Sequence, residues 1–484
     1  MSKFNSPTVN PTLTKNHAGG QAFQESPELE LVSILLTSFV NDTYYRSSSD
    51  TLNRLKQVIE RVDPRFAAQA AVYARNEFGM RSISHVAASE LAKRVNGQPW
   101  AKSFYNAIIR RPDDMLEIAS YHKANNGKLS NAMKDGFALA FEKFDGYQLA
   151  KYRGEGKGIK LIDLVNLVHP IPVEKNGEAL KALVAGTLKN TQTWESKLSA
   201  TKGDAEAKTE AWGELIRGKK LGYLALLRNL SNIMEQAPEV LDEALASLTN
   251  EGFIKKSLVF PFQYLIAYKQ FSKTNSKEAR KIAEALSTAI DLSCSNVRDL
   301  FNNGENEDSL VVIDNSGSME SSVNGSAHMH KSELGALFGI VLAKAINADI
   351  MEFGSYARYI PYNLSAHSMD FAAAFAGLNQ VGHGTDFHAP FEVANKAYKR
   401  IFIFSDMQGW INNGEPSEVL KSYKRKFKAD PFIYSIDLAG LGSLQFPEKN
   451  VFALAGFSEK IFDLVKTLET DKQALINTIK KVEF

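Results

Sequence analysis

The sequence is short of the features that mark secreted and membrane-embedded proteins. It contains one cysteine, Cys294, which excludes an internal disulfide and any zinc site built on several cysteines. No stretch approaches the roughly 20 consecutive apolar residues that a membrane-spanning helix needs. Residues 1–16 are polar and lack the apolar segment of a signal peptide. We therefore expect a cytoplasmic protein that does not associate with membranes.

The chain also lacks an excess of charge of either sign. Its 57 lysines and arginines stand against 55 aspartates and glutamates, which gives a net charge of +2. A net charge so close to zero excludes a general affinity for polyanions, so a nucleic-acid-binding surface would have to be a local patch. The length of 484 residues is too great for one core and predicts two or three domains.

Helical periodicity dominates the first part of the chain. Residues 1–27 show little periodicity and predict an extended N-terminal arm on the protein surface. In residues 28–303, apolar residues recur three and four positions apart between breaks at proline and glycine, which predicts consecutive helices without intervening strands. This succession favours stacked helix pairs that resemble HEAT repeats, although an irregular helical bundle fits the same periodicity.

Strands and helices alternate in the last part of the chain, residues 306–484, after a polar linker at residues 302–308. The predicted strands are residues 310–313, 350–353, 401–404, 431–436 and 451–454. The predicted helices are residues 330–347, 368–378, 389–399 and 416–427, with a closing helix from residue 458. This alternation predicts a doubly wound α/β domain with a parallel sheet, whose ligands bind at the carboxyl ends of the strands.

Oxygen-bearing side chains follow two of these strands. Asp314, Ser316 and Ser318 alternate along the loop after the first strand, so their side chains would surround one point. One carboxylate and two hydroxyls are hard ligands, which suit Mg²⁺ or Mn²⁺ and not zinc. Three ligands leave such a cation short of oxygens. Thr385, which follows the permissive glycines Gly382 and Gly384, and Asp406, at the end of another buried strand, would complete the set.

Other interpretations of these residues remain. Serine and aspartate are common in turns after strands, so all five would also fit ordinary turns and helix caps. A phosphatase that forms an aspartyl phosphate would need a second carboxylate where Ser316 stands, and a serine hydrolase would need a Gly-x-Ser-x-Gly turn. A magnesium-dependent nuclease would need a base or paired carboxylates that the motif lacks. A zinc hypothesis would rest on the nearby histidines His328, His330, His383 and His388, but the hydroxyl-rich set favours a harder ion.

Residues 306–484 resemble the von Willebrand factor A domain. The resemblance is carried by Asp-x-Ser-x-Ser at residues 314–318 together with Thr385 and Asp406, which match the five residues of its metal-ion-dependent adhesion site. It implies that Ser316, Ser318 and Thr385 are ligands of a divalent cation, foremost Mg²⁺ and alternatively Mn²⁺. It also implies that Asp314 and Asp406 form hydrogen bonds to these hydroxyls and to water molecules on the ion.

One segment of the helical part has a surplus of basic residues. Between residues 123 and 160, eight lysines and arginines stand against four acidic residues. Gly154, Gly156 and Gly158 predict a loop whose backbone amides would approach phosphates, although the charges alone favour a solvated helix face. The run lacks the Gly-Lys-Ser/Thr ending of a nucleotide-binding loop, and no strand leads into it, so nucleotide hydrolysis is unsupported.

The helical part resembles the Ro autoantigen (TROVE domain) family. The resemblance is carried by residues 149–152, 164–170, 224–230 and 260–267, among which Leu-Leu-Arg-Asn-Leu at 226–230 is the most specific motif. The order of a helical part followed by an A domain is also that of the family. The resemblance implies a ring of helical repeats that binds a small structured noncoding (Y-like) RNA on its basic outer surface. It also implies that the central hole accepts single-stranded 3′ ends of misfolded RNAs.

The resemblance implies a non-catalytic role in RNA quality control or degradation, for a monomer that associates with an exoribonuclease. The residues expected to contact RNA are Lys128, Lys134, Lys151, Arg153, Lys157, Lys160, His169 and Arg228. His169 also fits a helix-cap role before a proline, and Arg228 would equally fit a role in tying neighbouring repeats together. The competing hypothesis is a metal-dependent protein-interaction scaffold that binds no RNA.

Overall fold

The computed structural model of the chain divides into two compact units. The helical unit comprises Leu52–Ser293 and Ile476–Phe484, and the sheet unit comprises Met1–Thr51 and Cys294–Leu475. The structure describes residues 13–16, 18–38, 48–189, 193–293, 308–322, 329–362, 367–375, 377, 381–411, 416–441, 443–446, 450–456, 459–471 and 473–484. Apart from Asp308, the predicted linker at residues 302–308 lies outside these ranges, and the predicted boundaries at 303 and 306 stay predictions.

Two short strands and one helix come first in the chain. Strands β1 (Leu13–Lys15) and β2 (Gln21–Gln24) pair in antiparallel fashion. Helix α1 (Pro27–Thr37) begins at Ser26, whose hydroxyl accepts a hydrogen bond from the backbone N–H of Leu29. The predicted arm is extended in its described part, but it does not lie wholly on the surface, because Ala22 and Phe23 are buried.

Helix α1 belongs to the sheet unit, whereas the sequence interpretation placed residues from 28 onwards in the helical domain. The helix packs against the last strand of the sheet. Its residues from Glu30 to Thr37 are all buried, so it has no polar face towards solvent. Apolar residues on all sides mark a helix enclosed by its surroundings, and this pattern does not reveal which unit surrounds it.

The helical unit is formed by helices alone in the part of it that the structure describes. They are α2 (Ser48–Arg61), α3 (Pro64–Asn76), α4 (Ser82–Glu90), α5 (Ala101–Ile108), α6 (Pro112–Asn125), α7 (Asn131–Ala140), α8 (Gly146–Lys151), α9 (Leu161–Val168), α10 (Gly177–Val184), α11 (Trp194–Ser199), α12 (Ala205–Arg217), α13 (Tyr223–Arg228), α14 (Leu230–Gln236), α15 (Leu241–Leu248), α16 (Glu251–Ser257), α17 (Pro261–Phe271) and α18 (Lys277–Ser293). Among the described residues, no helix combines the length and apolar composition that crossing a membrane requires.

Helices in this unit pack against the helix two positions further along the chain. Such pairs are α4 with α6, α5 with α7, and α8 with α10. Pro64, Pro112 and Pro261 stand in the first turns of α3, α6 and α17, where the missing N–H of proline costs no hydrogen bond. The predicted succession of stacked helices is confirmed.

The C-terminal residues of the chain pack against the first helices of the same unit. The side-chain amide of Gln69 donates hydrogen bonds to the carbonyls of Lys480 and Val482, at 2.7 and 3.0 Å. The ring of Phe484 lies 5.5 Å from that of Trp100 and 5.8 Å from that of Phe104, centroid to centroid. Residues 380 or more positions apart in sequence therefore pack together in one unit.

The sheet unit alternates strands and helices after residue 308. In chain order they are β3 (Ser309–Asp314), α19 (Lys331–Ile346), β4 (Asp349–Phe353), β5 (Ala357–Tyr359), α20 (Ser368–Phe375), α21 (Ala389–Val393), β6 (Arg400–Ser405), α22 (Pro416–Phe427), β7 (Phe432–Asp437), β8 (Ser443–Leu444), β9 (Val451–Ala455) and α23 (Val465–Thr470). The next helix, α24 (Ala474–Lys480), belongs to the helical unit from Ile476 onwards. The closing helix predicted from residue 458 is divided into a 3₁₀ segment (Glu459–Leu464) and the helices α23 and α24.

The main sheet has the strand order β5-β4-β3-β6-β7-β9. Strands β4, β3, β6, β7 and β9 are parallel, and β5 is an antiparallel edge strand. Strand β3 lies between β4 and β6 and is buried over its whole length, as its run of Leu, Val and Ile predicts. The predicted doubly wound parallel sheet is confirmed, with β3 at its centre.

Three local features of this unit differ from prediction. Strand β5 was not predicted, because three half-buried residues show no clear alternation. The two-residue strand β8, which joins β1 and β2 in a small second sheet, is too short to predict. The helix predicted to reach residue 399 ends at Val393, since the backbone of Ala394 turns out of the helical region.

Candidate metal centre and nucleic-acid interface

The carboxyl ends of β3 and β6 lie side by side because these strands pair in parallel, with Ile313 opposite Phe404. Asp314, the last residue of β3, therefore lies beside the loop that carries Asp406. The hydroxyl of Ser405 donates a hydrogen bond to Asp314 Oδ2, which joins the two strand ends. The strand register thus places the two predicted carboxylates at one edge of the sheet, as expected for a doubly wound fold.

The loop after β3 folds back onto these carboxylates. The backbone N–H of Ser316 donates to Asp314 Oδ1 at 2.8 Å, and the loop then forms a 3₁₀ turn at Gly317–Glu320. The hydroxyl oxygens of Ser316 and Ser318 are 3.4 Å apart. The hydroxyl of Ser318 also forms a hydrogen bond with the carboxylate of Asp406. Four of the five predicted residues are thus connected by hydrogen bonds.

Thr385 lies on a third loop that packs between the other two. The N–H of Gly317 donates to the carbonyl of His383 at 3.0 Å, and the N–H of Trp410 donates to the carbonyl of Thr385 at 3.0 Å. A Cβ atom on Gly384 would lie 2.1 Å from Ile411 Cδ1 and 2.8 Å from Ser355 Oγ, so a larger residue there would require these side chains to move. The structure therefore brings the loops of all five residues together, with the Thr385 side chain buried.

Two ionised carboxylates without a bound cation are electrostatically unfavourable at this buried position. Asp314 and Asp406 are both 0% exposed. Burial, together with the charge of Asp406, raises the pKa of Asp314 to about 7. Burial also raises the pKa of Asp406, against the opposing effects of Lys331 and Ser318. Two adjacent carboxylates removed from water repel each other and lack solvation, which a bound cation would relieve.

The donor set fits a hard divalent cation. Asp406 Oδ2 is buried and has no hydrogen-bond partner among the described residues, so it is free to receive a donor or a water molecule. The polar side-chain atoms of the five residues are all oxygens, and hydroxyl and carboxylate oxygens are preferred by Mg²⁺ and Mn²⁺. The residues present thus fit the ion that the sequence predicts.

The nearby histidines do not form a zinc site in the described part of the chain. His388 Nδ1 lies 2.9 Å from Asp386 Oδ1, and His330 Nδ1 bonds the carbonyl of Glu320. His383 is exposed and lies 3.7 Å from Glu320. His328 falls outside the described residues. No group of three or more His, Cys, Asp or Glu side chains within the described ranges is placed to hold a metal.

The basic segment ends with the last residue of α8 and the loop between α8 and α9, where three predicted RNA-contacting cations have acidic partners. Lys151 Nζ lies 3.2 Å from Glu195 and 5.9 Å from the ring centroids of both Tyr152 and Trp194. The remaining ion pairs join Arg153 to Glu155, at 3.1 Å, and Lys157 to Glu117, at 3.7 Å. We name Lys151, Arg153 and Lys157 the loop cations.

Backbone geometry fixes this loop against α6. Gly154 has a φ of +74°, and a Cβ atom there would lie 2.6 Å from Leu116 Cδ1. The N–H of Leu161 donates to the carbonyl of Arg153 at 2.9 Å, which closes the loop at the start of α9. The close approach and the left-handed backbone both require glycine. The loop cations therefore project from a backbone of defined conformation.

The other predicted RNA-contacting residues lie in separate places. Lys160 precedes α9 and His169 follows it, so they are separated by the length of an eight-residue helix, roughly 12 Å. Lys128 lies just before α7 and Lys134 lies in α7, which follows the C-terminal end of α6. Lys157, by contrast, contacts Glu117 in the first half of α6. The predicted residues are therefore distributed over several elements of the helical unit.

His169 and Arg228 are both exposed. His169 adopts a left-handed conformation, with φ 47°, at the end of α9, which is uncommon for a residue with a side chain of this size. Arg228, at the end of α13, forms no ion pair with any described residue. Its neighbour Asn229 bonds the carbonyl of Ala225 and the amide of Asn232, so these contacts are local to α13 and α14.

A buried ionic network supports the loop and was not predicted. The carboxylate of Asp114 receives Arg75 Nη2 at 2.8 Å and Arg81 Nε at 3.1 Å, and His85 Nε2 lies 3.2 Å away. Burial opposes the ionisation of Asp114, but the neighbouring His85 and the charge of Arg75 outweigh it and lower its pKa.

Glu117 connects this network to the basic loop. Its carboxylate lies 2.9 Å from Arg81, 3.0 Å from His85 Nδ1 and 3.7 Å from Lys157. The only sequence signal for this network was the placement of Asp113 and Asp114 at the start of α6. By itself, this placement indicates only the negative charge that favours a helix N-terminus.

Comparison with protein families identifies two domains. The TROVE domain matches residues 36–189 and 165–300. The Ro60 vWA domain matches residues 309–468, which include all five candidate metal-binding residues. The expected order of a TROVE domain followed by an A domain is thereby confirmed.

Two curated relatives are telomerase protein component 1 of Mus musculus and of Rattus norvegicus, which are 22% and 21% identical to this chain over 352 residues. Each match covers 53% of this chain and 13% of the relative, so the chain spans about an eighth of their length.

Among solved structures, the crystal structure of Deinococcus radiodurans RO (RSR) protein is similar with a TM-score of 0.56 and 16% identity. The similarity covers 91% of this chain and 100% of that one, and it shows a common fold. The TROVE matches together span residues 36–300, which is more than half of the chain. The chain therefore belongs to the TROVE-domain family.

Proposed function

We propose that the chain is a non-catalytic RNA-binding protein of the Ro type that acts in cytoplasmic RNA quality control or degradation. It would bind a small structured, Y-like RNA on a basic outer surface. Single-stranded 3′ ends of misfolded RNAs would enter the opening of the ring that the family resemblance implies. Membership of the TROVE family supports this proposal. The observation that carries it is the basic loop, in which Gly154 approaches Leu116 closely and Lys157 forms an ion pair with Glu117 of the neighbouring ionic network.

The loop cations suit phosphates better than bases. Their carboxylate partners are at least partly exposed, so phosphate groups would compete for the same ammonium and guanidinium groups. Such contacts depend on salt and carry little sequence information. His169 is exposed and would stack on or form a hydrogen bond with an unpaired base. Affinity for structured RNA with little sequence preference is the expected outcome.

A charge-reversal experiment tests the proposal. The full chain is titrated at ~150 mM salt with a structured RNA that carries a single-stranded 3′ tail. We expect Lys151→Glu, Arg153→Glu and Lys157→Glu together to weaken binding by about 100-fold, since three phosphate contacts become repulsive. The matched control is Arg217→Glu, Lys255→Glu and Lys281→Glu, which reverses three cations that have acidic partners elsewhere in the helical unit. Equal losses in both triple variants, or no binding by the wild type, would refute RNA binding at this loop.

We further propose that the sheet unit holds a divalent cation, Mg²⁺ or alternatively Mn²⁺. Ser316, Ser318 and Thr385 would be its ligands, while Asp314 and Asp406 hold the hydroxyls and water molecules around it. When bound, the ion supplies positive charge to which a carboxylate of a partner protein can bind. An exoribonuclease is the partner that the family resemblance suggests for a monomeric chain. The orphaned Asp406 Oδ2 and the buried pair of carboxylates support this proposal.

A metal-dependent protein-interaction scaffold without RNA binding is the second candidate function. One observation favours it: Trp410 is 52% exposed although its backbone N–H is fixed to the carbonyl of Thr385 in the candidate metal centre. An exposed tryptophan beside a metal site is a typical anchor for a protein partner. The RNA titration above separates the two functions, because a scaffold of this kind would bind none.

A further inference from the structure

Two aromatic side chains lie beside Lys151, one of the loop cations, and neither belongs to the predicted set of RNA-contacting residues. Tyr152 follows the last residue of α8, and Trp194 is the first residue of α11. Both side chains are partly exposed. Lys151 Nζ lies 5.9 Å from each ring centroid, so at most twice that distance separates the two centroids. The fold thus brings the ends of two separate helices, each with an aromatic ring, to one lysine.

The contacts that hold the Lys151 ammonium group are weak. A cation within about 6 Å of a ring centroid is attracted by the ring, but only slightly where water has access. The carboxylate partner is Glu195, which lies 3.2 Å from Nζ and has a side chain that is 47% exposed. Ion pairs with exposed side chains contribute little to stability. A phosphate group can therefore draw Lys151 away from the two rings and uncover the surface that its ammonium group contacts.

Tyr152 has a second cationic neighbour, which is held more firmly. Arg111 Cζ lies 5.2 Å from the Tyr152 ring centroid. Its guanidinium group donates two hydrogen bonds to the two carboxylate oxygens of Asp113, both at 3.1 Å. Bidentate pairing of this kind fixes the orientation of a guanidinium group. We therefore expect Arg111 to stay beside Tyr152 and to keep the ring in place when Lys151 moves.

An unpaired nucleotide satisfies both the cation and the rings. Its phosphate pairs with Lys151, and its base stacks on an aromatic ring, which any of the bases can do because each has a π-face. In a duplex the bases are paired and stacked on one another, so a duplex offers phosphates without an accessible base. A lysine and two aromatic rings at one place thus favour a single strand over a duplex.

We propose that Tyr152 and Trp194 form a base-stacking subsite beside the loop cations, which selects unpaired nucleotides over duplex RNA. This inference rests on the proposed RNA-binding function and deepens it. The loop cations account for affinity towards any ribose-phosphate chain, whereas the two rings account for the choice of an unpaired strand. On binding, the Lys151 ammonium group exchanges its contacts with the rings for a phosphate, and bases take its place on the rings.

The test compares RNA oligomers that carry the same number of phosphates. An oligouridylate of about ten nucleotides, an oligomer of that length with abasic riboses and a duplex of equal phosphate number are titrated into the full chain at ~150 mM salt. We expect the wild type to bind the oligouridylate about tenfold more tightly than either of the others. The oligouridylate, and not the abasic oligomer, should quench the part of the tryptophan fluorescence that Trp194→Phe removes.

Variants that remove or keep a ring separate stacking from packing. Tyr152→Leu and Trp194→Leu keep an apolar side chain without a π-system, and each should reduce the preference for oligouridylate over the abasic oligomer to about threefold or less. Tyr152→Phe and Trp194→Phe should keep most of the preference. The matched control, Phe253→Leu, changes a partly exposed ring on α16 and should leave it unchanged. The salt dependence of binding should be the same in all these variants, because the loop cations remain.

Two results would overturn the inference. One is equal affinity of the wild type for the oligouridylate and the abasic oligomer, a comparison that needs no substitution and so does not depend on how the variants fold. The other is an undiminished preference in both leucine variants, once circular dichroism shows that they are folded. If the wild type binds none of the oligomers, or if reversing the three loop cations leaves its binding unchanged, the proposed RNA binding at this loop fails instead.

Discussion

At the scale of single residues, Asp314 should control the response to metal. A ligand that binds only the folded protein stabilises it by about 2.7 kcal/mol at 100 times its dissociation constant. Asp314→Asn keeps the shape of the side chain but removes a charge, so we expect Mg²⁺ to raise the unfolding temperature of the wild type and not that of the variant. Scanning calorimetry with and without Mg²⁺ measures both.

The control for this prediction is Asp370→Asn, which removes an exposed carboxylate from α20 in the same unit. It should respond to Mg²⁺ as the wild type does. An equal Mg²⁺ effect on Asp314→Asn and the wild type would place any metal binding elsewhere.

Glu25 should make stability depend on pH. Burial raises the pKa of Glu25, with Asp437 and Glu30 adding to the effect, from 4.5 to about 8. Because the folded-state pKa lies above the unfolded value, the stabilising contribution is fully present below pH 4.5 and is lost as the pH rises through about 8. Glu25→Gln cannot ionise. It should therefore become more stable than the wild type as the pH rises, by a few kcal/mol above about pH 8.

Urea unfolding of the wild type and Glu25→Gln at pH 5, 7 and 9 measures this difference. The gap in free energy of unfolding between the two proteins should widen with each step. A gap that stays constant over this range would mean that Glu25 ionises normally in the folded chain.

At the scale of elements, two glycines of the basic loop should behave differently. Both Gly154 and Gly156 have positive φ, so alanine strains the backbone at either position by about 1 kcal/mol. A Cβ atom at Gly154 would also collide with Leu116, whereas one at Gly156 meets nothing within 4 Å. Gly154→Ala should therefore cost about 1–3 kcal/mol more than Gly156→Ala, and it should weaken RNA binding further by displacing the loop cations.

Denaturant unfolding and RNA titration of these two variants provide the measurements, with Gly156→Ala as the control for backbone strain alone. Equal effects of the two substitutions would show that the loop is not held against α6.

The elements that could be predicted are those whose sequence pattern depends only on their immediate surroundings in the fold. The buried strands β3 and β6 are runs of apolar residues, and the parallel order of their ends brings Asp314 and Asp406 together. Loops that follow parallel strands meet at the carboxyl end of the sheet in this fold class, so the candidate metal centre could be predicted from the sequence. The proposed role of its residues still awaits a metal titration.

Features that depend on distant partners were not predictable. A lysine at the start of a helix, such as Lys331, normally lies in solvent, and only the folded structure shows that it is buried. The charges of Arg75, Asp114 and Glu117 also resemble those of a solvated helix face, whereas they meet in a buried network. Helix α1 was assigned to the wrong unit for the same reason, since its apolar residues do not specify what covers them.

At the scale of the whole molecule, RNA binding and metal binding should be separable. All eight predicted RNA-contacting residues belong to the helical unit and all five metal-site residues to the sheet unit. We expect the RNA affinity of Asp314→Asn to stay within about threefold of the wild type, a difference below 1 kcal/mol. A variant is used because removing Mg²⁺ would also change the RNA. A loss of more than tenfold in this folded variant would show that the two units are coupled.

Because residues 476–484 pack against the first helices of their unit, this part of the core is completed only late in protein synthesis. The two carbonyls that accept hydrogen bonds from the Gln69 amide follow it by 411 and 413 positions in the sequence. Ribosomes add about 5–20 residues per second, so the aromatic surface of Trp100 and Phe104 would stay uncovered for roughly 20–80 s after it leaves the exit tunnel. During that interval the nascent chain presents an apolar surface, and a chaperone or an early-folding helix pair must cover it until translation reaches Phe484.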